Sequence, residues 1–494
     1  MAKSEHSARM GRTAHPGQAT PPPPSHSVRQ ARDQMRPTRA RPPDHDEYTA
    51  PPGASATSTP RAITGATPDT AAPDTAAPAR NRDALVRQAE LVISLVLRAG
   101  VLVSAAVIFT GIVIFYVRYI HAPAGFPTHL GFPHSLHAVL AGLGHGDPLA
   151  IIALGLLLLL ATPVVRVLVS IIAFAIERDR LYTGITALVL AILLVSFFLS
   201  PAEAAALKIP AIPPLATFAI IFAACVGAGL LGSLVGLGGG IFVVPLLTVA
   251  FGLDIHQAIG ASIVSVIATS SGAAAAYVRD HLTNLRVGMF LEIATTAGAI
   301  CGAFLAVIAP IAALYIIFGL VLIISAIPLV VRIGEELPQD VQPDRWARLL
   351  HLGSSYPDQR LGRTVTYEAT RVPAGFSLMY VAGLISGLLG IGSGTFKVLA
   401  MDTAMRLPLK VSTTTSNFMI GVTAAASAGI YFERGTIDPL IAAPVALGVL
   451  LGATLGAKVL TRLSNVTIRK IFLPLLLLVA IEMLIRGGSK LLGF

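Results

Sequence analysis

The stretch Gly232-Ser-Leu-Val-Gly236-Leu-Gly-Gly-Gly240-Ile-Phe-Val-Val-Pro-Leu-Leu-Thr-Val-Ala-Phe-Gly-Leu-Asp-Ile-His256-Gln-Ala-Ile-Gly260-Ala-Ser262-Ile returns in outline 154 residues later, as Gly387-Leu-Leu-Gly390-Ile-Gly-Ser-Gly394-Thr-Phe-Lys397-Val. At that offset, with no gap, Ser262 falls on Ser416, Thr269 on Thr423 and Tyr277 on Tyr431. Farther along, Gly298 and Gly302 fall on Gly452 and Gly456. Matching glycine pairs four residues apart do not arise by chance in two merely hydrophobic stretches. The pattern predicts a duplicated unit. Each copy has an apolar arm, a glycine cluster and then a short apolar segment of about 11 residues, near 16 Å as a helix and so about half a bilayer.

The surroundings of the repeat identify its solvent. The chain has 494 residues, 54% of them hydrophobic and 13% charged. Residues 1–83 and 332–372 hold 19 and 12 of the charges, so the remainder is too apolar to present a charged exterior to water. Apolar runs of bilayer length recur throughout that remainder. The expected fold is an all-α integral membrane protein, an inverted-repeat transporter with glycine-broken half helices, preceded by a three-helix membrane domain and a disordered N-terminal tail. The boundaries are 1–83 for a Pro- and Ala-rich cytoplasmic tail and 84–200 for the three-span domain, with spans near 99–117, 149–176 and 182–199. A Pro-rich linker (201–214), a first repeat (215–332), a cytoplasmic linker (333–372) and a second repeat (373–486) follow.

The sidedness follows from Lys and Arg. With the tail in the cytoplasm, Arg178, Arg180, Arg279, Arg286, the six arginines of 332–372, Arg406 and Lys410 fall inside, and the segments 119–147 and 308–312, which have no Lys or Arg, fall outside. Each repeat then crosses the membrane an odd number of times, so the two copies are inverted. That architecture belongs to secondary transporters, with a site near the midplane between the repeats. The expected location is the plasma membrane, multi-pass. The net charge of +10 is read as basic residues kept on the cytoplasmic face rather than as a nucleic-acid surface. Cys225 and Cys301 lie in apolar runs and cannot build a disulfide framework or a metal site. No catalytic or phosphate-binding signature occurs, so no enzyme, cofactor or metal is expected and any transport is gradient-driven or powered by a partner. A homo-oligomer stays open.

The candidate site gathers around the glycine clusters. The N–H groups that open the half helices after Gly238, Gly239 and Gly240 and after Gly392, Ser393 and Gly394 favour an anion. The bland alternative is that these glycines only let helices pack closely, as is expected of Gly298, Gly302, Gly452 and Gly456. Ser262 and Ser265 in the first copy, and Thr414, Thr415, Ser416 and Asn417 in the second, offer uncharged donors to an oxyanion, although hydroxyls inside helices also bond their own carbonyls. The polar run 412–417 suggests a lined cavity. Lys397 has no counterpart in the first copy, where Val243 aligns, and either faces an anion or snorkels. Glu292 is the coupling candidate, a proton-carrying carboxylate or else a partner of Arg286. Arg166 is expected to snorkel to the interface, and Asp402 and Arg406 to form an i,i+4 pair.

These residues resemble a known family. The quoted repeat over 215–486, with Gly387–Val398 and Val-Ser-Thr-Thr-Thr-Ser-Asn-Phe at 411–418, is similar to the sulfite exporter TauE/SafE family of membrane permeases. The 85–200 unit resembles a small membrane domain of unknown function sometimes encoded beside such permeases. The resemblance implies export of a small sulfur oxyanion or an organosulfonate. Ser393 and Lys397 depart from the symmetry of that pattern, where the first copy has Gly239 and Val243. The rival function is a membrane scaffold or sensor that recruits a partner without transport.

Overall fold

The computed structural model describes residues 77–120, 132–133, 135–198, 215–235, 239–279, 282–330, 341–358, 363–460 and 465–492. Most of the expected tail, the whole 201–214 linker and Gly238 lie outside the described residues. The N-terminal unit contains α1 (Ala77–Ile120), α2 (Leu136–Gly144), α3 (Pro148–Ile176) and α4 (Arg180–Phe198). α1 starts inside the stretch expected as tail and runs 44 residues, so 84–97 continues directly into the first span. The first repeat contains α5 (Leu215–Val235), α6 (Gly240–Pro245) with a π-helical turn Leu246–Ala250, α7 (Ile255–Arg279), α8 (Leu285–Ile308) and α9 (Ile311–Val330). Between the repeats lie α10 (Arg345–Leu349) and the antiparallel pair β1 (Ser354–Asp358) and β2 (Arg363–Tyr367). The second repeat contains α11 (Val372–Leu389), α12 (Gly394–Leu399) with a π-helical turn Ala400–Ala404, α13 (Leu409–Glu433), α14 (Pro439–Leu460) and α15 (Asn465–Leu492).

Seven helices among the described residues are long and apolar enough to cross a membrane, in α1, α3, α4, α5, α8, α11 and α14. The protein is an all-α integral membrane protein. α13 is long enough at 25 residues but too polar, because its first turns hold Lys410 and the run 412–417.

Helices surrounded by lipid gain nothing from hiding apolar surface from one another. They associate where small residues let their backbones meet. Here that principle sets the arrangement of the two repeats. α8 and α11 lie side by side and run the same way: a Cβ on Gly383 would meet Thr295 O at 2.1 Å, and one on Gly387 would meet Ala299 O at 2.0 Å. Gly298 and Gly302 lie as tightly against Tyr380 and Leu384. The mates of these helices repeat the contact, with Gly448 and Gly452 of α14 against Phe222 and Val226 of α5. The close-packing role expected of Gly298, Gly302 and Gly452 is what the structure shows.

Corresponding helices of the two repeats run in opposite directions. In α7 and α13, Gly260 meets Thr436 while Gly421 meets Ser270; in α9 and α15, Gly319 meets Leu484 while Gly487 meets Ile316. Equivalent helices that pack antiparallel require a two-fold axis across the helices, so the repeats are inverted. The short helix after the second break does not continue the arm before it. Thr370 N donates to Met405 O at 3.1 Å, which ties the residues before α11 to those after the second π-helical turn. The segment 372–404 therefore enters and returns to the end from which it started.

The 333–372 segment carries more structure than its composition suggested. Asp344 caps α10 through Ala347 N at 2.7 Å and accepts Val372 N at 2.9 Å, fixing the start of α11. Asn284 Nδ2 donates to Leu352 O at 3.1 Å and to Tyr367 Oη at 2.9 Å, and burial pushes the Tyr367 phenol up to about 12. Its hydroxyl keeps its proton at neutral pH.

Gly387→Val should cost about 1–3 kcal/mol or more by forcing α11 away from α8. Gly184→Val, at an exposed position with open space around it, should be tolerated. Thermal unfolding midpoints of the two variants in detergent check the contrast.

Candidate functional site

The two glycine breaks meet. Gly240, at the start of α6, lies against Gly390, with 2.9 Å between the position of a Cβ on the former and the carbonyl oxygen of the latter. Ser262 Oγ of α7 donates to Gly390 O at 2.7 Å and lies 3.2 Å from Gly240 O, so one hydroxyl reaches both breaks. Its mate Ser416 makes the symmetric contact, 3.2 Å to Gly394 O. Backbone conformation explains the residue types in the second break. Gly390 and Gly392 have φ of 68° and 73°, in the left-handed region that glycine enters without cost. Ser393 follows at φ 47°, a strained position for a side chain. In the first copy Gly239 has an ordinary φ of −64°, but a Cβ there would meet Val449 Cγ1 at 2.6 Å. The two glycines and the serine at these aligned places answer to different constraints.

The structure gives several expected site residues a partner within the protein. Ser265 Oγ donates to Ser262 O at 2.7 Å. Thr414 Oγ1 donates to Leu282 O at 2.7 Å, and Thr415 Oγ1 accepts from Asn284 N at 3.1 Å, so both fasten the start of α13 to the segment before α8. Asn417 is buried on α13, and Ser393 Oγ is buried with no partner.

Lys397 is fully buried on α12. Its Nζ donates to Thr423 Oγ1 of α13, and Thr423 Oγ1 in turn donates to Glu292 Oε1 of α8 at 2.7 Å. Thr296 Oγ1 donates to the same oxygen at 3.3 Å, while Glu292 Oε2 has no partner. Thr423 is the residue that the repeat aligns with Thr269. Glu292 does not pair with Arg286, whose Nη2 instead binds Asp179 Oδ2 at 3.0 Å at the turn between α3 and α4. No ion pair joins Asp402 to Arg406 among the described residues, because the π-helical turn ends first and Arg406 adopts φ 53°.

Arg166 corrects an expectation. Rather than snorkelling, it is 1% exposed and lies against the second repeat, with Nη1 donating to Phe418 O at 2.8 Å and Cζ 4.9 Å from the centre of the Phe418 ring. It lies ten residues from the end of α3, about 15 Å along the axis. Its Nε and Nη2 have no partner. The Glu292 carboxylate interacts electrostatically with both Lys397 and Arg166. Hydrogen bonds thus join α8, α12 and α13, and so both repeats, in one buried cluster, and Arg166 of α3 lies against the same helix α13 at Phe418, within electrostatic reach of Glu292. Among the described residues no group of three His, Cys, Asp or Glu could hold a metal ion.

Thr423→Val should destabilise the protein by about 1–3 kcal/mol, since Lys397 and Glu292 both lose a buried hydrogen-bond partner. Thr423→Ser should stay near the parent. Unfolding midpoints of the purified variants measure the difference.

The chain resembles membrane transport proteins over this same region. A family model described as "Sulfite exporter TauE/SafE" matches residues 220–483, and one described as "Protein of unknown function (DUF1634)" matches 93–198. "Probable membrane transporter protein YunE" of Bacillus subtilis (strain 168) is 27% identical over 55% of this chain and 98% of its own length. "Probable membrane transporter protein YdhB" of the same organism is 27% identical over 49% of this chain and 89% of its own length. "Probable membrane transporter protein ORF9" of Sinorhizobium sp is 26% identical, over 54% and 91%. No solved structure matches. With more than half of its residues under one family model, several membrane-crossing helices and a doubled glycine break at the centre, the chain belongs to the sulfite exporter TauE/SafE family of multi-pass membrane transporters.

Proposed function

We propose that the chain is a permease that exports a small anion, sulfite or an organosulfonate, across the plasma membrane through a site near the midplane between its inverted repeats. It acts without catalysis, and its N-terminus lies in the cytoplasm. The observation that supports this most is the Lys397–Thr423–Glu292 relay, sealed inside the protein next to the Gly390–Gly394 break. An ammonium held in so dry a place is costly unless it is paired or meets a passing anion, and here its link to the carboxylate runs through a hydroxyl that an anion can displace. The family description and the printed names of the relatives support a transported small molecule.

The chemistry runs through that relay. An anion is met by the Lys397 ammonium, by the unpartnered Ser393 hydroxyl and by the N–H groups that open α12. Ser262 and Ser416 fasten the two breaks around it, Gly239, Gly240 and Gly392 let the breaks fit closely, and Thr414 and Thr415 hold the start of α13 in place. Glu292 competes with the anion for Lys397. A proton on Glu292 removes that competition and strengthens anion binding, and loss of the proton returns the lysine to the carboxylate. Transport is thereby coupled to pH through one carboxylate. The basic residues of 332–372 and of the α3–α4 turn mark the cytoplasmic side.

In proteoliposomes loaded with labelled sulfite, Lys397→Ala should abolish flux while leaving expression intact. Unchanged flux would remove Lys397 from the site. Glu292→Gln should keep flux but lose its response to a pH gradient, and an anion panel with and without the gradient identifies the preferred substrate.

A further inference from the structure

The N-terminal unit reaches into the permease with one charged side chain that bonds no carboxylate. Arg166 is sealed from solvent, yet its contacts are one carbonyl, Phe418 O, and one aromatic face, with Nε and Nη2 left without partners. Space is not the reason. A Cβ on Gly421 would meet Arg166 Nη2 at 2.4 Å and Ser270 Oγ at 2.3 Å, so a glycine on α13 makes room for the guanidinium between α7 and α13. Thr162, one turn earlier on α3, bonds Ser271 Oγ at 3.1 Å and holds α3 in place against α7.

Charge balance then becomes the question. Glu292 is joined through Thr423 to Lys397, and Arg166 lies within electrostatic reach of the same carboxylate without bonding it. Two buried cations on one buried anion leave a positive charge uncompensated, and an unpaired buried charge is strongly destabilising. A bound anion would remove the excess, and a guanidinium with free planar donors is the group best shaped to hold an oxyanion.

We propose that Arg166 is a second anion-binding residue of the permease site, supplied in cis by the N-terminal unit and sharing its ligand with Lys397. The proposal relies on the transport reading only for the anionic nature of the ligand. It gives the 93–198 unit a function: it completes the charge of a site that the two repeats alone leave short by one cation.

The test is a sulfite titration of the full-length protein in detergent at constant ionic strength, with chloride as the reference salt and the unfolding midpoint as the readout. Sulfite should raise the midpoint of the parent protein. Arg166→Gln should raise the half-saturating sulfite concentration about tenfold or more, the loss expected for a charged hydrogen bond, with Arg166→Lys falling between. A purely structural arginine would lower the midpoint equally with and without sulfite and leave half-saturation unchanged, and that result overturns the proposal. A parent protein that sulfite does not stabilise overturns it as well. Flux in proteoliposomes keeps the two readings apart. A parent that transports sulfite beside an Arg166→Gln variant with unchanged KM sinks this proposal alone, whereas a parent without flux sinks the transport reading and leaves the titration to decide this one.

Discussion

A helix that unwinds inside a bilayer exposes carbonyls and N–H groups to hydrocarbon, where each unsatisfied group costs several kcal/mol. The fold answers that constraint at its centre with hydroxyls. Ser262 donates to Gly390 O and lies within reach of Gly240 O, so the break of one repeat is secured by a helix of the other. Ser416 repeats the contact on Gly394 O. The described residues of both breaks, Gly239 and Gly240 in one copy and 390–394 in the other, are buried in protein, where the antiparallel packing of equivalent helices brings them together. The close glycine contacts of α8 with α11 and of α5 with α14 press the halves together tightly enough to keep that centre sealed.

The polar cluster at that centre is asymmetric. A two-fold axis would offer two equivalent half-sites, but Lys397 stands where the first repeat has Val243, and Ser393 where it has Gly239. The second repeat contributes the ammonium, the first contributes Glu292, and Thr423 of α13 links them. The N-terminal unit adds Arg166. A membrane interior tolerates such groups only when they meet one another or a ligand, and here residues far apart in the chain meet at one point.

Much of this was legible in the chain. Bilayer-length apolar runs marked the helices, and the offset of 154 marked the repeat. Gly298, Gly302 and Gly452 marked the close contacts, since only a missing side chain lets backbones approach so nearly. What could not be read was the pairing. Glu292 had an obvious neighbour six residues back in Arg286, yet Arg286 turns to Asp179 of the N-terminal unit. The hydroxyls of 412–417 read as a cavity lining, but Thr414 and Thr415 fasten α13 to residues 282–284. Arg166 read as a snorkelling arginine because nothing in its own helix shows that α13 leaves a gap for it at Gly421.

By itself the sequence determined the solvent, the helices, the duplication and the short menu of ionisable residues inside the membrane, because each of these depends on composition and on spacing along one chain. The tertiary structure alone decided which of those residues meet. Helix partners in lipid are chosen by backbone fit rather than by sequence distance, and α8 takes α11 where α14 takes α5. That exchange carries Glu292 to Thr423 and Lys397, and the docking of α3 on α7 and α13 carries Arg166 to Phe418 on α13.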